Sequence, residues 1–262
     1  MNNPERSIES FVAHAHAAGV LDATSQTLCF LRKNYDYNVL ELGPGDSLFT
    51  AIIAKALGAS HTWLVDAGVF ATNEIAAYSK LVDYMQKKEF LIPYIEGIKT
   101  HQDILQTYCA TYLTNGVASL TQIPSHSVDF CFSNAVLEHI PKYDFKKLAD
   151  EMFRIMKPNG VSFHRVDLKD HLGGKLNNLR FSEVIWEGKL FKNSGFYTNR
   201  MRFGEIITLF EQAGFLCNMT RITRWSNLPT RREKLDAAFQ VIQDDDLLIN
   251  GFDIVLRRKS YS

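Results

Sequence analysis

Short apolar runs alternate with helical patterns along most of the chain. Residues 38–42 predict a strand, the apolar positions from Leu48 to Leu57 predict a helix that stops at Gly58, and residues 61–66 predict a second strand. A strand, a glycine turn, a helix and a strand make a βαβ unit, so this part of the chain predicts a parallel sheet.

The alternation continues to the carboxyl terminus. Further strands are predicted at Val128 to Ser133, Gly160 to Val166, Phe215 to Ile222 and Phe252 to Leu256. Helices are predicted at Ser7 to Lys33, Phe145 to Met156 and Phe203 to Ala213. We expect an α/β fold of the Rossmann-like, doubly wound kind, with a mostly parallel sheet of about seven strands. Residues 1–36 are predicted to form an N-terminal helical cap on a main domain of residues 37–262.

One interval breaks the pattern. The segment from Asp167 to Arg202 is rich in Asn, Gly, Arg and aromatic residues. Its length of about 35 residues exceeds the roughly 2–6 residues of an ordinary connection between a strand and a helix. We interpret residues 167–202 as an insertion after the fifth strand that binds substrate or acts as a lid. His14 and His16 do not share a helix face, and we interpret them as surface residues.

Composition excludes several classes of protein. The chain has 29 basic and 29 acidic residues among 262, so it has no net charge that would attract nucleic acid or an anionic membrane. The four cysteines form no C-x-x-C pair, which argues against a zinc ribbon or a disulfide framework. No apolar stretch reaches the length of a membrane span, and the amino terminus has no secretion signal. We expect a soluble cytoplasmic protein.

A cofactor site is indicated by the turn after the first predicted strand. Gly43 and Gly45 allow a sharp turn and a close approach of the backbone to a ligand, and Asp66 ends the next strand, where a carboxylate can bond ribose hydroxyls. NAD is disfavoured because Leu48 occupies the place of the third glycine and because Glu41 would repel a pyrophosphate. A cationic sulfonium is compatible with Glu41, so the charge argument favours S-adenosylmethionine.

Three motifs then make the resemblance specific. The string from Val39 to Gly45 resembles the first motif of class I S-adenosylmethionine-dependent methyltransferases of the type 11 kind. The residues from Pro124 to His139 resemble the fourth-strand motif of that family, and those from Arg154 to Val161 resemble its turn into the fifth strand. The resemblance implies that S-adenosylmethionine is bound by Glu41, Gly43, Gly45 and Asp66, with Ser119 and Leu120 near the adenine and Ser133 and Asn134 near the methionine. Val117 departs from the family, where many relatives have an acid, so backbone groups or Asp103 are expected to contact the adenine.

Methyl transfer to oxygen or nitrogen often uses a general base, and histidine suits that role near neutral pH. His139 follows the fourth strand, and either His164 or His171, oriented by Asp167, is an equal candidate. A divalent metal held by His164, Asp167 and His171 stays an alternative to a hydrogen-bond network, and the expectation is that no metal is bound.

The insertion carries the substrate hypothesis. Residues 177–182 and 195–202 mix amides, aromatic rings and arginines, which suits a small or sugar-linked acceptor, although Trp186, Phe191 and Phe196 could equally form the loop's own core. The string from His164 to His171 also resembles methyltransferases associated with bacterial surface-polysaccharide biosynthesis. We expect a methyltransferase that acts on oxygen of a carbohydrate-like acceptor and has no nucleic-acid partner. An S-adenosylmethionine-binding protein without activity and an NAD-dependent oxidoreductase or epimerase are the alternatives, and the oligomeric state is left open.

Overall fold

The computed structural model describes residues 3–22, 29–30, 36–93 and 97–259. Nine strands and ten α-helices lie in this part of the chain. In chain order they are α1 (Pro4–Ala17), β1 (Leu21–Asp22), β2 (Cys29–Phe30), β3 (Asn38–Leu42), α2 (Phe49–Ala56), β4 (His61–Val65), α3 (Ile75–Lys87), α4 (His101–Thr107), β5 (Ala110–Leu113), β6 (Val128–Asn134), α5 (Lys142–Ile155), β7 (Met156–Asp167), α6 (Glu183–Trp186), α7 (Lys189–Lys192), α8 (Phe203–Gln212), β8 (Phe215–Arg224), α9 (Ala237–Gln240), α10 (Asp244–Leu247) and β9 (Ile249–Arg258).

A seven-stranded sheet with the order β5-β4-β3-β6-β7-β9-β8 confirms the predicted α/β class. Strand β3 pairs in parallel with both β4 and β6, and β4 pairs in parallel with β5. Strands β8 and β9 are antiparallel. Because parallel neighbours end at the same edge, the turns that follow β3 and β4 lie side by side.

Contacts divide the chain into two compact units. Among the described residues, the first unit holds those up to Ser133 together with Glu151–Phe163. The second unit holds Asn134–Asp150 and His164–Lys259. The predicted boundary at residue 36 and the role of residues 167–202 stay predictions.

An aromatic cluster holds α1 within the first unit. The ring of Phe11 lies edge-on to Phe30, Phe130 and Phe132, with centroids 5.3 to 6.2 Å apart. His14 is only 1% exposed and lies between the rings of Phe132 and Phe163, at 5.6 and 5.1 Å. The interpretation of His14 as a surface residue was therefore wrong, because α1 buries the face that carries both Phe11 and His14.

The first helix is also shorter than predicted. Gly19 has a φ of 71°, and the amides of Gly19 and Val20 bond back to the carbonyls of His16 and Ala15, which ends the helix. Strand β1 follows and pairs antiparallel with β2, so the prediction of a helix through this region was wrong. Residues 23–28 and 31–33 of the predicted helix lie outside the described residues.

The second unit contains its own aromatic packing. Phe210 of α8 packs against Phe145 and Phe215, with centroids 5.6 and 6.1 Å apart, and stacks on His164 at 6.1 Å. A second cluster consists of Leu176, Leu179, Leu235 and Leu247. Residues 167–202 include short helical turns, and their Leu176 and Leu179 belong to this second cluster. No helix of the described residues is long and apolar enough to cross a membrane.

Asp129 of β6 joins three segments of the first unit. Its carboxylate accepts the Asn38 amide at 2.9 Å and pairs with the Lys157 ammonium at 2.5 Å. The Lys157 ammonium also donates to the carbonyl of Asp36 at 2.7 Å. The Asp129 side chain is 8% exposed, so its removal would leave two donors without their partner in a largely dry place.

We expect Asp129→Ala to lower the free energy of unfolding by about 2 kcal/mol, because a buried ion pair loses one partner while Lys157 keeps some access to water. Urea unfolding followed by circular dichroism measures this change. Asp150→Ala is the control, because Asp150 pairs with Lys146 in a solvent-exposed position, and a loss of about 0.5 kcal/mol or less is expected. Equal losses in the two variants would contradict the role of Asp129.

Candidate functional site

The glycine turn after β3 adopts a conformation that suits glycine. Gly43 and Gly45 have φ values of 71° and 67°, in the left-handed region. The Gly43 amide donates to the carbonyl of Val65 at 2.8 Å, which ties the turn to the end of β4. Beyond its two chain neighbours, no atom of the described residues lies within 4 Å of the place where a Cβ would stand at Gly45, so the space over the turn is open to a ligand.

Asp66 follows β4 and is bonded to this turn. One carboxylate oxygen accepts the Gly45 amide at 2.9 Å, and the other accepts the Ala67 amide at 2.7 Å. Each oxygen has a second lone pair that can accept a further hydrogen bond. Asp66 therefore shapes the glycine turn and retains the capacity to accept ribose hydroxyls.

Glu41 is a partly buried acid with one buried, unpaired oxygen. Its Oε2 is shielded from solvent and has no hydrogen-bond partner among the described residues. Burial raises the pKa of Glu41 to about 7, although a hydrogen bond with Thr50 opposes this and the charge of Asp66 adds to it. A ligand cation would offset the cost of ionising this carboxyl, so Glu41 fits the sulfonium cofactor that the sequence favours.

The remaining predicted cofactor residues lie near strand ends. Ser119 and Leu120 are fully buried in the 3-10 helix Gly116–Gln122, where the Ser119 hydroxyl accepts the Asn115 amide at 2.9 Å. At the end of β6, Ser133 is buried and Asn134 is exposed. Asp103 caps α4, because its carboxylate accepts the amides of Lys99 and Thr100, both at 2.9 Å.

Two of the predicted catalytic histidines lie side by side in the second unit. The ring centroids of His139 and His171 are 5.1 Å apart. Nδ1 of His139 bonds the carbonyl of Tyr197 at 3.0 Å, and Nδ1 of His171 bonds the carbonyl of Gly195 at 3.1 Å. A carbonyl only accepts, so each Nδ1 carries the proton and each neutral ring has its lone pair on Nε2.

Electrostatics keep His139 in its neutral form. Partial burial lowers its pKa, and the neighbouring His171 lowers it further, while the Tyr197 carbonyl and Asp167 act in the opposite direction. Two imidazoles at this separation resist carrying positive charge together. His139 therefore has the charge state that a general base needs near neutral pH.

His164 is placed differently from the histidine pair. It is fully buried in β7 and stacks on Phe210, whereas Asp167 at the end of the same strand forms an ion pair with Lys169 at 3.2 Å. His164 and Asp167 are three positions apart, so they face opposite sides of the strand. Within the described residues, no group of three or more His, Cys, Asp or Glu side chains could hold a metal ion.

Asn199 positions the turn that carries His139, and sequence reasoning did not single it out. Its side-chain amide donates to the carbonyls of Leu137 and Ile140 at 2.7 and 2.8 Å, and its backbone amide donates to the carbonyl of Glu138 at 2.7 Å. The side-chain oxygen accepts the Met201 amide at 3.0 Å. The amide of Asn199 is thus used for the protein's own backbone, not for an acceptor hydroxyl.

The arginines of the insertion also bond the protein itself. Arg202 donates to the carbonyls of Leu168, Asp246, Leu247 and Ile249. Arg200 donates to the carbonyl of Phe181 and pairs with Glu183. Trp186 is fully buried and stacks on Phe191 at 4.6 Å, so these two rings form a core of the loop, whereas Phe196 is 49% exposed.

A polar cleft lies next to the turn of His139, entirely within the second unit. Its empty volume, solvent at the mouth included, is about 210 Å³. Ten residues line it: Glu138, Asp167, Leu168, Lys169, Asn178, Thr198, Asn199, Arg200, Met201 and Arg202.

Four buried side chains of this cleft each have one polar atom without a partner among the described residues. These atoms are Glu138 Oε2, Asn178 Oδ1, Arg200 Nε and Arg202 Nε. Burial raises the pKa of Glu138 to about 8, and the nearby charge of Asp167 contributes, although backbone hydrogen bonds oppose the shift. Each unpaired buried atom costs roughly 1–3 kcal/mol, so a bound group that pairs all four is favoured.

Comparison with known proteins identifies relatives of two kinds. Phosphoethanolamine N-methyltransferase 1 of Zea mays is 24% identical over 192 residues, which cover 72% of this chain and 33% of that protein. The chain therefore spans about a third of the length of this curated relative.

Solved structures of methyltransferases are similar in backbone. An S-adenosylmethionine-dependent methyltransferase from Methanosarcina mazei has a TM-score of 0.48 at 14% identity, covering 88% of this chain and 95% of that one. Phosphoethanolamine N-methyltransferase 2 of Haemonchus contortus, in complex with S-adenosyl-L-methionine, has a TM-score of 0.47 at 14% identity, covering 88% of this chain and 50% of that one.

The match that decides the family is with a family model. A model described as a methyltransferase domain matches residues 13–221, well over half of the chain. This match confirms the enzyme class, and with it the cofactor S-adenosylmethionine, that the three sequence motifs indicate. The chain belongs to the methyltransferase-domain family.

Proposed function

We propose that this enzyme transfers the methyl group of S-adenosylmethionine to a hydroxyl of a small, carbohydrate-like acceptor, in the biosynthesis of a surface glycan. The observation that carries the proposal is the polar cleft of the second unit, whose unpaired atoms include both donors and acceptors. Few ligand groups both donate and accept hydrogen bonds without carrying charge, and hydroxyls are the commonest of them.

The cofactor is assigned to the glycine turn and its neighbours. Gly43 and Gly45 let the backbone approach the cofactor, and Asp66 accepts hydrogen bonds from its ribose hydroxyls. The Glu41 carboxylate offsets the positive charge of its sulfonium. Ser119, Leu120, Ser133 and Asn134 complete the proposed set on the basis of the family resemblance. When bound, S-adenosylmethionine supplies a methyl carbon that its sulfonium has activated for displacement.

His139 is the proposed general base. Its Nδ1 proton is held by the Tyr197 carbonyl, so Nε2 is free to take the proton of an acceptor hydroxyl. The charge of His171 lowers the pKa of His139, whereas the negative charge of Asp167 raises it. The buried, stacked environment of His164 favours His139 and His171 over it for this role.

The unpaired atoms of the cleft match the hydrogen-bonding capacity of a hydroxyl group. Arg200 Nε and Arg202 Nε are donors, Asn178 Oδ1 is an acceptor, and the Glu138 carboxyl both donates and accepts while it keeps its proton. A hydroxyl offers one donor and two acceptor lone pairs to this set. Inside its mouth the cleft has room for about one water-sized group, so it suits a single hydroxyl at the edge of a larger acceptor.

The phosphoethanolamine N-methyltransferases named above suggest a different acceptor, which carries a phosphate and an ammonium group. A phosphate dianion only accepts hydrogen bonds and would leave Asn178 Oδ1 unpaired. An ammonium only donates and would leave the two arginine Nε donors unpaired. Phosphoethanolamine carries both groups, but it would have to bring a separate charged group to each set of atoms, whereas a hydroxyl donates and accepts at one uncharged oxygen.

The first test concerns the cofactor and Glu41. We expect the affinity for S-adenosylmethionine to rise by about tenfold between about pH 6 and pH 8, because the cation favours the ionised carboxyl and the pKa of Glu41 is raised to about 7. Adenosylhomocysteine has no sulfonium, so its affinity should change less. Calorimetric titration of both ligands measures this difference.

Glu41→Gln should remove the difference between the two ligands, whereas Glu74→Gln, at an exposed acid of the same unit, should retain it. A pH dependence that persists in Glu41→Gln would refute the role of Glu41. Binding of NAD in place of either ligand would contradict the cofactor assignment itself.

The second test concerns the histidine pair. We expect NMR titration to give His139 a pKa below its usual value of 6.5, and to show that His171→Asn raises this pKa by removing a neighbouring positive charge. His16→Asn, at an exposed histidine of α1, should leave the pKa of His139 unchanged. The assignment fails if His139 titrates at or above the usual value, or if His171→Asn does not move it.

The third test concerns the acceptor. Labelled S-adenosylmethionine is offered with nucleotide sugars, simple glycosides and phosphoethanolamine, and we expect label only on the hydroxylated compounds, as an ether that resists alkali. Asn178→Leu should raise the KM for the acceptor about tenfold, because one paired acceptor atom is lost. Asn218→Leu, at an exposed amide of β8, is the matched control.

Methylation of phosphoethanolamine alone would overturn the proposed acceptor. Binding of S-adenosylmethionine without transfer to any compound would instead favour a binding protein that has lost its activity.

A further inference from the structure

An apolar surface stands out on the two short helices of the insertion. Val184 and Ile185 of α6 are 86% and 53% exposed, and Leu190 of α7 is 80% exposed. These residues lie within seven positions of one another and are among the most exposed large apolar side chains of the described residues. Lys189 and Lys192 are exposed on α7 beside them. We call these five residues the hairpin patch.

The helices that carry the patch pack on an aromatic core. The inward residues of the two helices, Trp186 and Phe191, stack with centroids 4.6 Å apart, and the Trp186 indole donates to the carbonyl of Thr198 at 2.7 Å. Phe181 packs on both rings. Since one side of the helix pair already forms this core, solvent would ordinarily meet polar residues on the other side. The apolar residues there indicate a surface that contacts a partner.

Charges around the patch are positive on balance. Glu183 pairs with the Arg200 cation, whereas Glu187 accepts the Tyr197 hydroxyl at 3.0 Å and keeps its negative charge. The two lysines outweigh that one charge. No ion pair of the described residues involves Lys189 or Lys192. The ammonium of Lys192 lies 4.9 Å from the ring centroid of Tyr143, which is itself 65% exposed. An aromatic ring and a lysine at an apolar edge are typical of side chains at a membrane interface.

We propose that the hairpin patch docks onto the surface of an anionic lipid bilayer. Its apolar side chains enter the boundary between headgroups and acyl chains, and Lys189 and Lys192 bind the anionic headgroups. A second copy of the chain fits less well, because a two-fold contact would bring the same lysines against each other. The inference is independent of the acceptor proposed above.

Vesicle flotation of the full chain tests the docking surface. We expect binding to vesicles of phosphatidylglycerol mixed with phosphatidylcholine, much weaker binding to pure phosphatidylcholine, and weakening as ionic strength rises. Val184→Asn with Leu190→Gln should lower the partition coefficient at least about tenfold. Lys189→Gln with Lys192→Gln should lower it about 25-fold, at roughly fivefold per lysine, and flatten the salt dependence.

Two controls match these variants within the second unit. Val241→Asn changes an apolar side chain that is 77% exposed elsewhere, and Lys234→Gln changes an exposed lysine elsewhere. Both should bind vesicles as the unchanged chain does, and circular dichroism checks that every variant is folded. Equal binding to both kinds of vesicle would overturn the proposal, as would equal loss in the controls. An absence of vesicle binding together with a dimer that the patch variants dissociate would assign the patch to a second copy and overturn it as well.

Discussion

The hydrogen bonds of Asn199 organise the part of the second unit on which the proposed chemistry depends. The Asn199 side chain donates to the carbonyls of Leu137 and Ile140, and its backbone amide donates to the carbonyl of Glu138. The turn before α5 is therefore held in place by a residue about 60 positions later in sequence. That turn carries both His139 and Glu138. Its geometry therefore requires the insertion to be folded, because the turn's own sequence supplies no partner for these carbonyls.

Buried carboxyls mark the candidate cofactor turn and the cleft. Glu41 Oε2 in the first unit and Glu138 Oε2 in the second both lie away from water without a hydrogen-bond partner among the described residues, and burial raises the pKa of each. A stable fold rarely leaves such atoms unpaired. A bound ligand that pairs these oxygens would offset the free-energy cost of burying them. The ligand groups proposed for the two sites differ: a positive charge near Glu41 and hydroxyl groups near Glu138.

The insertion shows why composition is a poor guide to binding. Its arginines and amides suggested contacts with phosphate and sugar, yet the guanidinium of Arg202 bonds the carbonyls of Leu168, Leu247 and Ile249, and Arg200 is paired with Glu183. A buried loop must satisfy the backbone groups it covers, and long polar side chains do this when no strand or helix can. Only a few polar atoms of the cleft, such as the Nε of each arginine, have no partner among the described residues and could bond a ligand.

The sequence by itself determined six of the seven strands of the sheet, the glycine turn and the enzyme class, because these depend on local periodicity and on short motifs. Residues such as Gly43, Gly45 and Asp66 lie where strand ends and a turn of fixed length must place them. The sequence did not reveal that His14 is buried, that α1 ends at Ala17, or that α3, α4 and β5 belong to the first unit. Only the tertiary structure decided which histidines meet, since His139 and His171 are brought together by carbonyls at Tyr197 and Gly195. Such partners are distant in sequence, and no spacing or composition encodes a contact that forms only when separate segments pack against each other.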